Sequence, residues 1–280
     1  MAITTLDQAA AGGQPPWAFA KGVTPTLVGG RPHSLWYLGG FPGAGSAPGA
    51  TTAGGTALTQ ATYGAVAGAL PHNDPSGGLV TELLKLSAMA TQPGQLILAD
   101  RLLHCGAQSS AAAISLTVTS AQTINTATLP ARDSNGATAG AGVMCGVEVS
   151  TVTGAGTPTL TLGYTNSAAT ASRSSTNIDP TVATSAVGAF YRMGLQAGDV
   201  GIQSIQSLTL SATWTSGALA LVLYRHLASL ELTAANVPNV IDWLTSGAPR
   251  LYNGCCPFLI FVPSTTTAAN VSGNYVETQG

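Results

Sequence analysis

The chain has 280 residues, 45% of them hydrophobic, with nine Lys and Arg against eleven Asp and Glu and a formal net charge of −2. So few scattered cations cannot neutralise a row of phosphates, which excludes a nucleic-acid binder. The charged fraction is 7%, against roughly 25% in ordinary soluble domains, so Ser, Thr, Asn, Gln, Gly and Ala must cover the surface. Two explanations fit that number: a surface largely hidden in an assembly, since interface cores are depleted in charge, or a mildly polar but exposed β-surface.

The N-terminus, Met1 to Asp7, has no charged segment followed by an apolar one, so no signal peptide is expected. No stretch approaches the roughly 20 apolar residues of a spanning helix, and no membrane partner is expected. Cys105, Cys145, Cys255 and Cys256 match neither a zinc pattern nor a disulfide framework. Free thiols, and synthesis in a reducing cytoplasm, are the expectation.

Residues 1–75 are rich in Gly, Pro, Ala and Thr, with the run Gly39-Gly40-Phe41-Pro42-Gly43-Ala44-Gly45-Ser46-Ala47-Pro48-Gly49 at their centre. Gly weakens helices and strands and Pro removes backbone donors, so this stretch is predicted to be extended and irregular. Trp17, Trp36, Tyr37, Phe41 and Tyr63 punctuate it. That many rings point to an ordered arm laying anchors onto another surface. The simpler reading is a long loop folded over its own domain.

Residues 76–94 are predicted to hold one short amphipathic helix and its connection. Leu79, Leu83, Leu86 and Met89 recur at spacings of four and three over about 78–90, with Glu82 and Lys85 beside them. Asp74 or Ser76 is available as a cap, and Pro93-Gly94 ends the region. Such a helix could bind a partner; more often it packs on a sheet.

From 95 to 280 the pattern is β. Leu96-Ile97-Leu98 is a short apolar run. Two-residue alternation follows at Ile114, Leu116 and Val118, at Val147 and Val149 around Glu148, and at Leu160, Leu162 and Tyr164. It returns at Leu208, Leu210, Ala212 and Trp214, and at Leu219, Leu221 and Leu223. Ser134-Asn135-Gly136, Gly154-Ala155-Gly156, Gln196-Ala197-Gly198-Asp199 and Thr215-Ser216-Gly217 supply turns. Val240, Ile241, Trp243 and Leu244 indicate a short helix or turn ending at Gly247, before strands at 257–263 and 271–276. The expected fold is mainly β: an antiparallel sandwich, jelly-roll-like, with the extended N-terminal arm and the one helix attached.

Chemistry is sparse. His33, His72, His104 and His226 sit in unrelated contexts and form no HxH or HExxH pair, so no metal or other cofactor is expected. Neighbours on a strand point to opposite faces, which argues against a His104–Cys105 pair. The carboxylates Asp74, Asp100, Asp133, Glu148, Asp179, Asp199, Glu231 and Asp242 are the remaining candidates. Asp133, Asp179 and Asp199 occupy turn positions, and Asp100 adjoins Arg101 as a possible ion pair. Glu148, between two apolar strand positions, is expected on a solvated face.

Several segments resemble a family of tailed-bacteriophage and prophage virion structural proteins. They are Arg31-Pro32-His33-Ser34-Leu35-Trp36-Tyr37, the Gly-Ala-Pro run through Thr51-Thr52-Ala53-Gly54-Gly55, Ala99-Asp100-Arg101-Leu102 and Leu129-Pro130-Ala131-Arg132-Asp133. Further along come Gly163-Tyr164-Thr165-Asn166, Leu195 to Asp199, Ile205 to Ser211 and the ending Thr278-Gln279-Gly280. The resemblance implies a place in the virion and supplies no catalytic residue. Within that class the expectation is a capsid decoration (cement) subunit that clamps major capsid proteins and copies of itself, plausibly as a trimer. Trp17, Trp36, Tyr37 and Phe41 are its expected partner-binding anchors. A tail, collar or host-binding fibre component is the second reading, and an enzyme acting on host glycans the third.

Overall fold

The computed structural model describes residues 3–48, 54–106 and 114–280. Met1, Ala2 and the part of the Gly-Ala-Pro run at 49–53, Thr51 to Ala53 included, lie outside the described residues.

The expected β architecture is present. In chain order the strands are β1 (Trp17–Lys21), β2 (His33–Ser34), β3 (Gly40–Phe41), β4 (Thr56–Ala57), β5 (Thr81–Ala90) and β6 (Gly94–Cys105). Then come β7 (Gln122–Thr123), β8 (Val143–Thr151), β9 (Leu160–Asn166), β10 (Arg173–Thr176), β11 (Phe190–Arg192) and β12 (Ile202–Leu210). The last are β13 (Ala218–Leu232), β14 (Asn239–Asp242), β15 (Arg250–Leu251), β16 (Pro257–Pro263) and β17 (Val271–Gln279). One helix, α1 (Leu6–Ala11), precedes them.

The chain divides into two compact units, and neither follows the expected boundaries at 75 and 94. The first joins residues 1–45, 59–100 and 227–280; the second joins 46–58 and 101–226. Residues 1–45 are therefore built into a body, and most of this stretch is not a free arm.

In the first unit one sheet runs β14-β5-β17-β1-β3. β17 pairs with β5 from Val271↔Ala90 to Gln279↔Thr81, and with β1 from Val271↔Lys21 to Tyr275↔Trp17, all antiparallel. Opposite it, β16 pairs with residues 94–100 of β6 and, at Ile260 and Phe261, with β2. Phe19, Leu83, Leu86, Val271 and Tyr275 from the first sheet share one buried cluster with Leu96, Leu98, Leu259 and Phe261 from the second. Two sheets around one apolar layer make a β-sandwich.

The second unit is a sandwich as well. β10-β9-β12-β7 form one sheet, and β11, β8 and residues 218–225 of β13 pair in another. Leu160, Leu162, Tyr164, Ile205 and Leu208 meet Val147, Val149, Leu219 and Leu221 in its core, around Trp214.

Three local expectations need correction. The predicted helix at 78–90 is strand β5. Its register against β17 slips between Val276 and Glu277, which skips Leu84. That one-residue bulge turns a two-residue alternation into a step of three, Leu83 to Leu86, which imitates helical spacing. Residues 239–242 are strand β14 and only 243–247 turn. The alternating residues Ile114 and Leu116 are buried, but they lie in irregular chain; the Ser115 amide donates to Gln122 Oε1 instead of to a strand partner.

The helix that does form carries a local signal. Thr5 caps α1 by accepting from the Gln8 amide, while Gln8 Oε1 accepts from the Thr5 amide, a capping box.

Candidate functional site

Two of the four expected anchors reach the surface together, and one does not. Trp36 is 2% exposed and lies edge-on to Phe258, with ring centroids 6.3 Å apart. Gly45 and Gly68 exist where they do because of it. A Cβ on Gly45 would sit 2.2 Å from the Trp36 indole nitrogen, and one on Gly68 would meet Gly45 and the same ring. Part of the Gly-rich run is thus packed onto an indole that only glycine lets the backbone approach. Tyr37 is half-buried beside Trp36 in the chain.

Trp17 and Phe41 instead flank Tyr63, with centroid distances of 5.7 and 6.5 Å. Phe41 is 48% and Tyr63 40% exposed. Each ring is held by a different element. Trp17 opens β1. Phe41 lies on β3 opposite Ala20, in a loop fastened by Lys21, whose buried Nζ donates to the carbonyls of Pro42 at 2.9 Å and Gly43 at 3.4 Å. Burial lowers that ammonium to about 8. Tyr63 sits on a loop closed by Asn73, whose Oδ1 accepts from the Tyr63 amide at 2.7 Å, and by the Asp74 amide, which donates to the Ala61 carbonyl.

Beside Trp17 opens a cleft of about 400 Å³, lined by Gln14, Pro15, Trp17, Asn73, Asp74, Ser76, Glu277 and Gln279. The geometry follows from strand period: Tyr275, Glu277 and Gln279 occupy one face of β17, and Trp17 stands opposite Tyr275 on β1. Behind the lining lies His72, fully buried, with Nδ1 2.8 Å from Glu277 Oε1 and Nε2 3.2 Å from Asp74 Oδ1. Asp74 Oδ1 also accepts from the Gly254 amide at 2.6 Å.

Ionised carboxylates only accept, so a position between two of them favours the doubly protonated imidazole, which donates to both. Burial disfavours that charge, but the hydrogen bond and charge of Glu277, joined by Asp74, outweigh it and hold His72 above its ordinary value of 6.5. Burial pushes the Glu277 carboxyl up as well. Both ring nitrogens face carboxylates, and no hydroxyl or thiol is hydrogen-bonded to His72 among the described residues. His72 and Glu277 lie 205 positions apart, so only the His72-Pro-Asp74 proximity was visible in the chain.

The second unit uses charge differently. Arg101 forks onto Glu148, Nη1 to Oε1 at 3.1 Å and Nη2 to Oε2 at 2.7 Å, with both side chains fully buried. Glu148 is therefore not on a solvated face; residues 145–149 of β8 are buried throughout, so both faces of that strand are covered. His104 Nδ1 lies 3.3 Å from Arg101 Nη2, and burial with the Arg101 charge pushes this histidine down to about 3. Asp100, the neighbour of Arg101 but part of the first unit, accepts from the Cys256 amide at 2.9 Å.

The remaining carboxylates are fasteners. Asp133 accepts four amides, from Asn135, Ala137, Gly140 and Ala141, and so shapes its turn. Asp179 grips Arg192 twice. Asp199 gathers Tyr164, Asn166 and Arg173. Glu231 accepts from Gln95, and Asp242 from Thr245. No cluster of three or more His, Cys, Asp or Glu suited to a metal occurs among the described residues. The four cysteines are buried free thiols, with Cys105 pushed up to about 12 by burial. No helix is long and apolar enough to cross a membrane among the described residues.

No protein-family model, no curated protein and no solved structure matches this chain.

Proposed function

We propose that the protein is a non-enzymatic structural subunit of a bacteriophage particle, a capsid decoration subunit that seats on major capsid proteins and on copies of itself as a trimer. The observation that carries this reading is the surface trio on the first unit, exposed Phe41 and Tyr63 beside half-buried Trp17. Aromatic clusters of this kind supply most of the energy of protein interfaces, and a surface with so few ions loses little when covered. The commitment of Asp133, Glu148, Asp179 and Asp199 to structural partners supports a role without catalysis. In this reading the anchors are Trp17, Phe41 and Tyr63, presented by a folded body and not by a threaded arm.

The experiment is attachment. Particles lacking the protein should burst at a lower temperature, and added protein should restore them. Phe41→Ser with Tyr63→Ser should fold normally and fail to restore. Equal stability of particles with and without the protein would overturn the proposal.

One observation favours the second reading, a host-binding tail or fibre component. The cleft beside Trp17 sets carboxylates and amides against an indole, the composition of a recognition site more than of a packing contact.

A further inference from the structure

We propose that the cleft beside Trp17 binds a neutral, hydroxyl-rich saccharide. The inference rests on the host-binding reading and deepens it by naming its ligand class.

Its volume of about 400 Å³ falls within the range of roughly 300–1,000 Å³ typical of small-molecule sites. The lining divides into two kinds of surface. Trp17 offers an aromatic wall, already oriented by Tyr63 at 5.7 Å, against which the C–H face of a sugar ring can stack. The rest of the lining supplies groups that match hydroxyls in both directions. Asp74 and Glu277 accept; Gln14, Asn73 and Gln279 accept or donate; Ser76 does both.

These groups are held in place before any ligand arrives. Gln14 Nε2 donates to the Gly12 carbonyl at 2.9 Å, and its amide nitrogen to the Glu277 carbonyl at 2.8 Å. Asn73 is fixed by the Tyr63 amide, and Asp74 by Gly254 and His72. Each amide side chain keeps a second polar atom for a ligand. Such preorganisation lowers the ordering cost of binding.

The charge selects the ligand. No Lys or Arg lines the cleft. His72, behind the lining, is fully buried and shared between two carboxylates. An anionic ligand would therefore meet uncompensated negative charge, whereas a neutral polyol would not. An apolar ligand would strip water from two carboxylates and three amides without replacing those bonds. A neutral saccharide satisfies both the ring and the rim.

The test is calorimetric titration of the full chain with chitotetraose, cellotetraose and maltotetraose, and with tetragalacturonate as the anionic probe. At least one neutral tetrasaccharide should bind saturably and tetragalacturonate should not. Trp17→Ala should weaken that binding about tenfold or more with an unchanged circular-dichroism spectrum. If that variant misfolds, Gln14→Ala with Ser76→Ala, which alters only the rim, should weaken binding in the same direction. Failure of all three neutral probes to bind would overturn the inference, as would equal binding of tetragalacturonate or affinity unchanged in the variants. None of these outcomes touches particle stability, so this proposal and the decoration reading fail separately.

Discussion

The two units are built alike and charged differently. Each is an antiparallel sandwich around one apolar cluster. The second carries three arginine–carboxylate pairs, the forks Arg101–Glu148 and Arg192–Asp179 and the single contact Arg173–Asp199. Guanidinium does not titrate in the physiological range, so these forks hold geometry at any ordinary pH. The first unit uses weaker cations, His72 between two carboxylates and Lys21 among backbone carbonyls, and it places them behind the cleft and under the aromatic trio. The permanent charges fasten strands and turns; the titratable ones lie behind the cleft and beneath the loop that carries Phe41.

Several changes would break or sharpen that contrast. The largest effect is expected from deleting residues 1–45. It removes β1 and β3 from one side of β17 and β2 from the side of β16, along with the Trp36 packing, so the first unit should unfold. Hydrogen exchange should then show β5 and β17 unprotected while β8, β9 and β12 keep their protection. A protected β17 in the truncated chain would return these residues to the status of a free arm.

Next comes Glu148→Ala, which leaves the Arg101 guanidinium buried without its fork. Breaking a buried pair this way costs about 3–5 kcal/mol, and chemical denaturation followed by exchange at β8 should register it in the second unit. Replacing both partners with apolar residues, Arg101→Met with Glu148→Leu, should recover much of the loss. Trp36→Ala is the counterpart in the first unit, at about 3–5 kcal/mol for an emptied aromatic site.

Smaller effects separate the units by pH. His72 is held above its ordinary 6.5, so the folded state binds its proton more tightly than the unfolded chain. That stabilisation is complete below about 6.5 and is lost as pH rises through the folded value. The stability difference between the wild type and His72→Gln should therefore shrink as the medium becomes alkaline. Asp199 runs the other way. The Arg173 hydrogen bond, opposed by desolvation and aided by Tyr164 and Asn166, lowers it from 3.8 to about 2. Its contribution is present above 3.8 and fades as pH falls towards 2, and Asp199→Asn should flatten that acid limb alone.

Much of this architecture is legible in the chain, and the exceptions have physical causes. The strands β9 and β13 announce themselves because Leu160, Leu162 and Tyr164, and Leu219, Leu221 and Leu223, recur at every second position and face one core. The strand β5 does not, because the bulge at Leu84 breaks its period. Glu148 misleads because alternation implies a wet face, whereas its strand is covered on both sides and its partner lies 47 residues away. The division into units is invisible to any linear scan, since each sandwich gathers separated segments. At the site, the chain shows the aromatic residues but not which of them are buried. Trp36 and Trp17 look alike until Gly45, Gly68 and Phe258 close over the first. The cleft itself depends on bringing residues 14–17, 73–76 and 277–279 together, which only the β1–β17 ladder and the loop at 60–74 accomplish.

The central proposal, a structural subunit of a virion, is tested most directly by mass-spectrometric stoichiometry of phage particles purified from cells whose genome carries the gene. A decoration subunit should be present in proportion to the major capsid protein, and Phe41→Ser with Tyr63→Ser should remove it. Absence of the protein from intact particles would contradict the account.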